Sequence, residues 1–337
     1  MNTPPVRVAR FSRTSVIGVA VALVAVLVLV VMPYYVPLGA SRQVTSLFIY
    51  IVLATSWNLL AGFGGMVSIG QQAYIGLGAY GLVTLVSLVG VEHLLAIPLA
   101  AIGCAIVAVP ISYAAFRLTG GYFAVGTWVI AEVARLLIIR VPALGGGSGM
   151  SVPPMAGVDR DLQIAIGYWA ALAVAVVTVM IVVLVVRSRL GLALTAVRDE
   201  PVAAATSGVD VVRAKRIVFV LAAACAGAGG ALLATSTLTV QPSSVFSVNW
   251  TATMIFIVVI GGVGSIEGPI IGAVVYWGLQ VLLADYGELY LIGLGVLAIV
   301  IVLWVPGGIW GLITRRRRVS VFPVSYRLVP AKTVPAD

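Results

Sequence analysis

The chain is a succession of about ten apolar stretches, each of roughly 20 residues, separated by short polar segments. A helix of about 20 residues is long enough to cross the hydrocarbon core of a bilayer, which is about 30 Å thick. Since 61% of the residues are hydrophobic and only 9% are charged, a water-soluble fold of this size could not bury so much apolar surface. The sequence therefore predicts an all-α membrane protein, a polytopic bundle of about ten transmembrane helices.

The predicted spans leave no room for a sizeable soluble domain. They are residues 16–36, 43–62, 66–89, 93–117, 120–140, 163–186, 215–239, 250–264, 267–284 and 288–312. The first span follows three arginines, but it is long for a signal peptide, so we interpret it as a membrane helix. We divide the chain into an N-terminal arm (1–15), a transmembrane domain (16–312) that includes a long loop at 187–213, and a basic tail (313–337).

The distribution of basic residues predicts the orientation of the bundle. With the N-terminus in the cytoplasm, sixteen of the twenty Lys and Arg residues fall in cytoplasmic segments, as the positive-inside rule requires. Both termini are then cytoplasmic, which needs an even number of spans. The net charge of +9 comes from short loops rather than from a basic, aromatic-rich domain, so we expect no binding to nucleic acid.

Two spans, Gly62–Gly81 and Gly261–Gly278, are interrupted by glycine, proline and polar residues. Irregular backbone at membrane depth is tolerated only inside protein or beside water, so these spans are predicted to be broken or re-entrant and to lie inside the bundle. Residues 64–69 and 261–266 share four identities, which an internal duplication or chance in a glycine-rich sequence would explain equally well. The Gly62–Gly81 span carries a polar cluster of candidate path residues, Ser68, Gln71, Gln72 and Tyr74.

Each polar residue in this cluster has two interpretations. It can line a path for a solute, or it can form hydrogen bonds that hold neighbouring helices together. The same choice applies to Glu132 and Arg135, which are spaced to meet on one helix face: they can belong to the path, or they can form a structural ion pair. The glycines of a G-x-x-x-G-x-x-x-G pattern favour helix packing; they are Gly264, Gly268 and Gly272.

The sequence lacks the residues for several kinds of chemistry. A P-loop needs a lysine after a glycine-rich turn, and the two lysines, Lys215 and Lys332, do not follow a glycine. Cys104 and Cys225 lie inside apolar runs and are expected to act as small packing residues, without a metal site. We therefore expect a non-enzymatic chain that needs no cofactor of its own.

The loop at 187–213 contains the signals of a short helix. Asp199 can cap it, Glu200 and Pro201 suit its first turn, the alanines at 203–205 favour helix, and Gly208 can end it. Such a helix is either a solvated connection or a small face that fits a groove on a partner.

Several motifs together resemble one family, the permease subunits of bacterial high-affinity branched-chain amino acid ABC transporters, of the LivM type. In chain order they are GFGGMVSIGQQAYIGLGAY, GYFAVGTWVIAEVAR, GGGSGMSVPP, AVRDEPVAAATSGVD and GGVGSIEGPIIGA, and they cover most of residues 43–312. The chain departs from the pattern in two places. The family commonly has a histidine where Gln71 or Gln72 stands, and an acidic residue or asparagine that the loop at 145–149 lacks.

The resemblance implies an importer in the bacterial inner membrane. Its expected partners are a second homologous permease, two cytoplasmic ATPase subunits that bind ATP and magnesium, and an extracytoplasmic solute-binding protein. The solute would be a branched-chain amino acid or another small amino acid, urea or amide. The resemblance also implies that the coupling helix touching an ATPase lies at 198–208; we assign to it Arg198, Asp199, Glu200, Ala203, Ala204 and Gly208. An ion-coupled secondary transporter that uses Glu132 is the alternative, and a scaffold without transport activity is a third possibility.

The docking hypothesis for the loop predicts the effect of one substitution. If the alanine face enters a groove, Ala204→Glu would bury an unpaired charge and abolish uptake and solute-stimulated ATP hydrolysis, while membrane insertion is retained. Uptake assays on the assembled complex measure this. Normal coupled transport by a well-expressed variant would remove the loop from the mechanism.

Overall fold

The computed structural model describes residues 6–9, 13–283, 293, 295–296, 299–300, 303–305, 307–316 and 327–330. Helices dominate this part of the chain. They are α1 (Arg13–Val31), α2 (Leu38–Asn58), α3 (Gln72–Thr84), α4 (His93–Ala115), α5 (Gly121–Ile139), α6 (Arg160–Arg187), α7 (Arg189–Asp199), α8 (Pro201–Thr206), α9 (Val211–Thr237), α10 (Pro242–Val245), α11 (Val248–Gly261), α12 (Glu267–Leu282) and α13 (Gly308–Arg316). Wider π-helical turns extend two of these helices: Leu59–Phe63 follows α2 and Leu85–Val89 follows α3.

Within these residues, eight helical segments are long and apolar enough to cross a membrane. They correspond to the first eight predicted spans, which confirms an all-α polytopic membrane protein. The ninth prediction, 267–284, corresponds to α12, which has 16 residues. The tenth, 288–312, lies largely outside the described residues.

The centre of the bundle is formed by α2 and α9, the most deeply buried of the long helices. A run of small residues in α9, from Ala222 to Ala231, allows its neighbours to approach closely. A Cβ atom at Gly78 of α3 would overlap the Gly227 carbonyl of α9, and a Cβ atom at Gly230 would overlap the Ile75 carbonyl. The helices α3 and α9 therefore touch backbone to backbone, where larger side chains would hold them apart.

Both irregular spans are broken, as predicted. The first break is longer than expected: the chain leaves the helix after Phe63, and α3 begins only at Gln72 instead of at residue 66. Gly65 has φ +67°, a conformation that favours glycine over residues with a side chain. The second break covers residues 262–266, between α11 and α12. Gly264 therefore precedes α12, and only Gly268 and Gly272 of the predicted glycine ridge lie in that helix.

The loop at 187–213 contains two helices, α7 and α8, instead of the single one predicted. Asp199 is the last residue of α7 and does not cap α8. The cap position belongs to Glu200, whose extended backbone precedes Pro201, because a residue before proline avoids the helical conformation. Gly208, with φ +84°, follows the end of α8 as expected.

Two short antiparallel pairings join distant parts of the chain. The strand β2 (Met150–Ser151) pairs with β3 (Thr239–Val240), and this links the loop after α5 to the loop after α9. The strand β1 (Val6–Ala9) pairs with β4 (Arg327–Pro330). Since β1 and β4 are in contact, the two terminal segments lie on the same side of the bundle.

The packing of α12 on α11 generates a stability prediction. A Cβ atom at Gly272 would overlap the Ile257 carbonyl oxygen and lie 3.1 Å from the Gly261 nitrogen. Gly272→Ala should therefore destabilise the protein by about 1–3 kcal/mol, the usual effect of overpacking. Gly278→Ala in the same helix meets no atom within 4 Å and is the matched control. Thermal unfolding in detergent measures both variants, and equal melting temperatures would contradict the close packing.

Candidate functional site

The two helix breaks meet inside the bundle, and Asn58 joins them. Its side-chain Nδ2 donates a hydrogen bond of 2.8 Å to the Ser265 carbonyl, and its Oδ1 accepts one of 2.9 Å from the Gly264 amide. Asn58 is fully buried. A Cβ atom at Gly62 would lie 2.6 Å from the Gly264 nitrogen, so the breaks contact each other through bare backbone. The Asn58 side chain thus supplies hydrogen-bond partners for two backbone groups that have none within a helix, because the chain is not helical at these residues.

The irregular segment of the first break, residues 64–71, has its own partners. Trp57 Nε1 donates a hydrogen bond of 2.9 Å to the Ser68 carbonyl. The Ile69 amide donates to the Thr127 hydroxyl of α5, and the Gly70 amide donates to the Ser68 hydroxyl, both at 3.2 Å. These contacts supply hydrogen bonds that a helix would otherwise form, so an irregular segment is stable inside the bundle.

The polar residues predicted for the first break divide into two pairs. All four side chains are buried. Ser68 stabilises the turn, as described above, and Gln72 Oε1 accepts a hydrogen bond from the Thr251 hydroxyl of α11. By contrast, both polar atoms of the Gln71 amide and the Tyr74 hydroxyl have no hydrogen-bond partner among the described residues. Buried polar atoms without a partner are costly, which makes Gln71 and Tyr74 the better candidates for contact with water or solute.

Glu132 and Arg135 lie apart from this interior cluster. Arg135 Nε donates a hydrogen bond of 3.0 Å to Glu132 Oε2. The Glu132 side chain is 47% exposed and the Arg135 side chain is 28% exposed, both on the outward face of α5. Within the described part of the chain, Phe123, Thr127 and Ala131 are the buried residues of α5, and Ile130, Ala134 and Ile138 pack against the core while partly exposed. The structure therefore does not bring the ion pair together with Gln71 and Tyr74.

The loop at 187–213 presents a different surface from the one predicted. Ala204 is only 4% exposed because it packs against its own chain, so it is not available to a partner. The exposed residues of α8 include Ala203, while Asp199 and Glu200 are exposed beside it. Two apolar side chains that the sequence pattern does not single out are exposed here: Val202, which is 70% exposed, and Leu192 of α7. The test with Ala204→Glu is therefore unsuitable, since that change would bury a charge within the chain itself.

A cavity of about 210 Å³ lies where α2, α6 and α9 come together, near the loop after α9. Arg42 and Arg160 line it, together with hydroxyl and amide groups that include Thr45, Gln163 and Thr237. Two guanidinium groups at one cavity can hold a carboxylate. No sequence pattern indicates this cavity, because its lining comes from three distant segments. No group of three or more potential metal ligands occurs among the described residues.

These features define a polytopic membrane permease with two broken helices packed against each other. Residues 39–305 match the family described as the permease component of branched-chain amino acid transport systems. The chain belongs to this family and is a permease subunit of an ABC importer, in the inner membrane.

Two relatives carry the same description. The chain is 27% identical over 314 residues to the high-affinity branched-chain amino acid transport system permease protein LivM of Salmonella typhimurium. It is equally similar, 27% over 314 residues, to LivM of Escherichia coli. Each comparison covers 85% of this chain and 74% of the relative. No solved structure matches the chain.

The unpartnered amide of Gln71 leads to an accessibility prediction. In a background with both native cysteines replaced by alanine, Gln71→Cys should react with a small charged thiol reagent in membranes containing the assembled importer. The reason is that the unpartnered amide of Gln71 is expected to face water, and a thiol at the same position would face it too. Ala79→Cys, in the helix α3 that follows Gln71 and fully buried among apolar residues, should remain unreactive. Labelling by mass spectrometry measures both. Modification at 71 by lipid-soluble reagents alone would contradict a watery environment.

Proposed function

We propose that this permease imports a branched-chain amino acid or a similar small solute along a path that includes Gln71 and Tyr74. The observation that carries the proposal is the first helix break, where three buried polar side-chain atoms have no hydrogen-bond partner among the described residues. Transporters commonly bind their solutes at such discontinuous helices. A solute with ammonium and carboxylate groups would supply the missing donors and acceptors.

The cavity beside Arg42 and Arg160 supports a solute that carries a carboxylate. With both termini in the cytoplasm, this cavity opens at the outer end of the bundle, where a solute arrives. Its two cations would attract a carboxylate before the solute enters the interior. The proposed solutes therefore include amino acids in preference to neutral amides.

The energy for import is proposed to come from two ATPase subunits, which bind ATP and magnesium. This permease has no P-loop of its own, so the energy reaches it through a protein contact. The cytoplasmic segment with α7 and α8 suits that contact because Val202 and Leu192 expose apolar side chains there. A solute-binding protein would deliver solute at the opposite side, and a second homologous permease would complete the path.

The outward face of α5 suits the boundary with that second permease. Glu132 and Arg135 compensate each other's charge, but their exposed surface still needs protein or water at membrane depth. They would then belong to the path only where the two permeases meet. A carboxylate already bound to an arginine is a poor ion-coupling site, which disfavours a secondary transporter.

The energy source gives the most direct test of this function. Proteoliposomes with the complete complex should accumulate leucine when ATP is enclosed in the lumen together with the ATPase subunits. An uncoupler should leave this uptake unchanged. Vesicles with a hydrolysis-deficient ATPase are the control. Uptake that survives loss of ATP hydrolysis but collapses with an uncoupler would refute the proposed function.

The docking surface on α8 can be tested with a matched pair of variants. Val202→Glu should abolish solute-stimulated ATP hydrolysis and uptake, because docking would bury an unpaired charge. Val202→Thr preserves the shape of the side chain and should retain both activities. Since Val202 is exposed, either change should leave the fold intact. Equal coupling in the two variants would place the ATPase contact elsewhere.

A further inference from the structure

The guanidinium of Arg198 joins the segment that contains α7 and α8 to the first helix break. Arg198 lies in the last turn of α7, and its Nη1 donates a hydrogen bond of 3.0 Å to the carbonyl oxygen of Gly62. Gly62 belongs to the final turn before the chain leaves the helix at Gly64. The last carbonyls of a helix lack an amide partner within that helix, and a cation near them also interacts favourably with the helix dipole. The bond therefore fixes α7 to the end of α2.

The same side chain lies against the glycines of both breaks. A Cβ atom at Gly65 would be 3.1 Å from Arg198 Cγ, and one at Gly264 would be 3.4 Å from Arg198 Nη1. Both glycines have positive φ angles, +67° and +74° respectively. Arg198 thus occupies the point where the two breaks converge, and each break presents a residue without a side chain to it.

Contacts continue from this point to the interior. Asn58 lies about one helical turn before Gly62 and binds the backbone of the second break at Gly264 and Ser265. In the other direction, the segment after Gly65 runs to Gln71, whose amide lacks a partner among the described residues. Arg198 is therefore bonded directly to the turn that leads into the first break, at Gly62, and Asn58 with the packed backbone at Gly62 links it to the second break.

We propose that Arg198 is the positioning residue through which movement of α7 and α8 reaches both helix breaks and, through them, Gln71. The inference rests on the proposed function, since it assumes that an ATPase moves this segment. Arg198 itself does not touch the solute. A displacement of α7 carries the Gly62 carbonyl with it, and the packed backbones at Gly62 and Gly264 carry the second break along. The two breaks then move as one unit.

The first test replaces Arg198 in a complex that already shows ATP-driven uptake, so that failure of the proposed function is recognised separately. Arg198→Met removes the hydrogen bond and preserves much of the side-chain stem. We expect uptake per ATP hydrolysed, and the stimulation of hydrolysis by solute, to fall about tenfold, which is the effect of one charged hydrogen bond on an equilibrium. Basal hydrolysis and assembly should remain. Arg198→Lys retains a cationic donor and should recover part of the coupling.

Arg189→Met is the matched control for this variant, because it makes the same change at the start of the same helix. The Arg189 side chain is exposed. Coupling in Arg189→Met should equal that of the wild type. The proposal is wrong if Arg198→Met transports with the wild-type yield per ATP. It is also wrong if stability, assembly and basal hydrolysis fall together with no separate loss of coupling, because Arg198 would then be only a helix cap.

A second pair of variants decides the question if Arg198→Met does not assemble. Gly65→Ala introduces a Cβ atom that pushes Arg198 away from the break, in addition to the backbone strain of a positive φ. Gly120→Ala has comparable strain, with φ +56°, but its Cβ atom meets no atom within 4 Å. We expect Gly65→Ala to lose uptake per ATP hydrolysed and Gly120→Ala to retain it. Equal uptake per ATP in the two variants would overturn the role of Arg198.

Discussion

The structure depends on the lack of water inside a bilayer, which forces each peptide group that leaves a helix to find a partner within the protein. Asn58 meets this requirement for the second break, and Trp57 and Thr127 meet it for the first. Each unsatisfied group would cost several kcal/mol in hydrocarbon. Neither break is therefore independent of its surroundings, and the two are stabilised largely by being next to each other.

This mutual dependence explains why glycine recurs at the contacts. Asn58 can bind the backbone of the second break only if the chains approach closely, and a side chain at Gly62 would prevent that approach. The same reasoning applies to α12, where Gly268 and Gly272 lie against the backbone of α11. In the proposed mechanism a centre packed in this way would move as a block, because small displacements would break hydrogen bonds that hold it together. Movement of α7 and α8 would then need only one firm attachment to this block, which the proposal assigns to Arg198.

Much of the fold could be predicted from sequence because bilayer thickness fixes the length of a span. Hydropathy gave the first eight spans and the location of both breaks. It did not predict the irregular conformation of residues 66–71, since apolar residues such as Met66 and Val67 favour a helix prediction when their distant partners are unknown. The cap at Glu200 was missed by one residue, because the effect of Pro201 on the preceding residue outweighed the capping preference of Asp199.

The candidate site was less accessible to sequence reasoning. A polar residue in an apolar span is recognisable, but whether it has a partner depends on contacts with other helices: Thr251 satisfies Gln72, whereas Gln71 has no such neighbour among the described residues. Periodicity likewise could not show that Ala204 faces inward and Val202 outward on a helix of six residues. The hydrogen bond between Arg198 and Gly62 joins residues 136 positions apart, so no local sequence pattern indicates it.

The distance between α7 and the first break tests the central claim most directly, namely that this segment and the helix breaks stay attached throughout transport. Val67 in the first break and Ala196 in α7 are both exposed, so each can be changed to cysteine and spin-labelled while Arg198 and Gly65 stay in place. In a chain free of other cysteines, pulsed electron paramagnetic resonance would measure the distance between the two labels in the assembled importer, both without nucleotide and after trapping with ATP and vanadate. The account predicts the same distance in the two states. A distance that changes between the states would show that the contact breaks during the cycle and would contradict movement as a single unit.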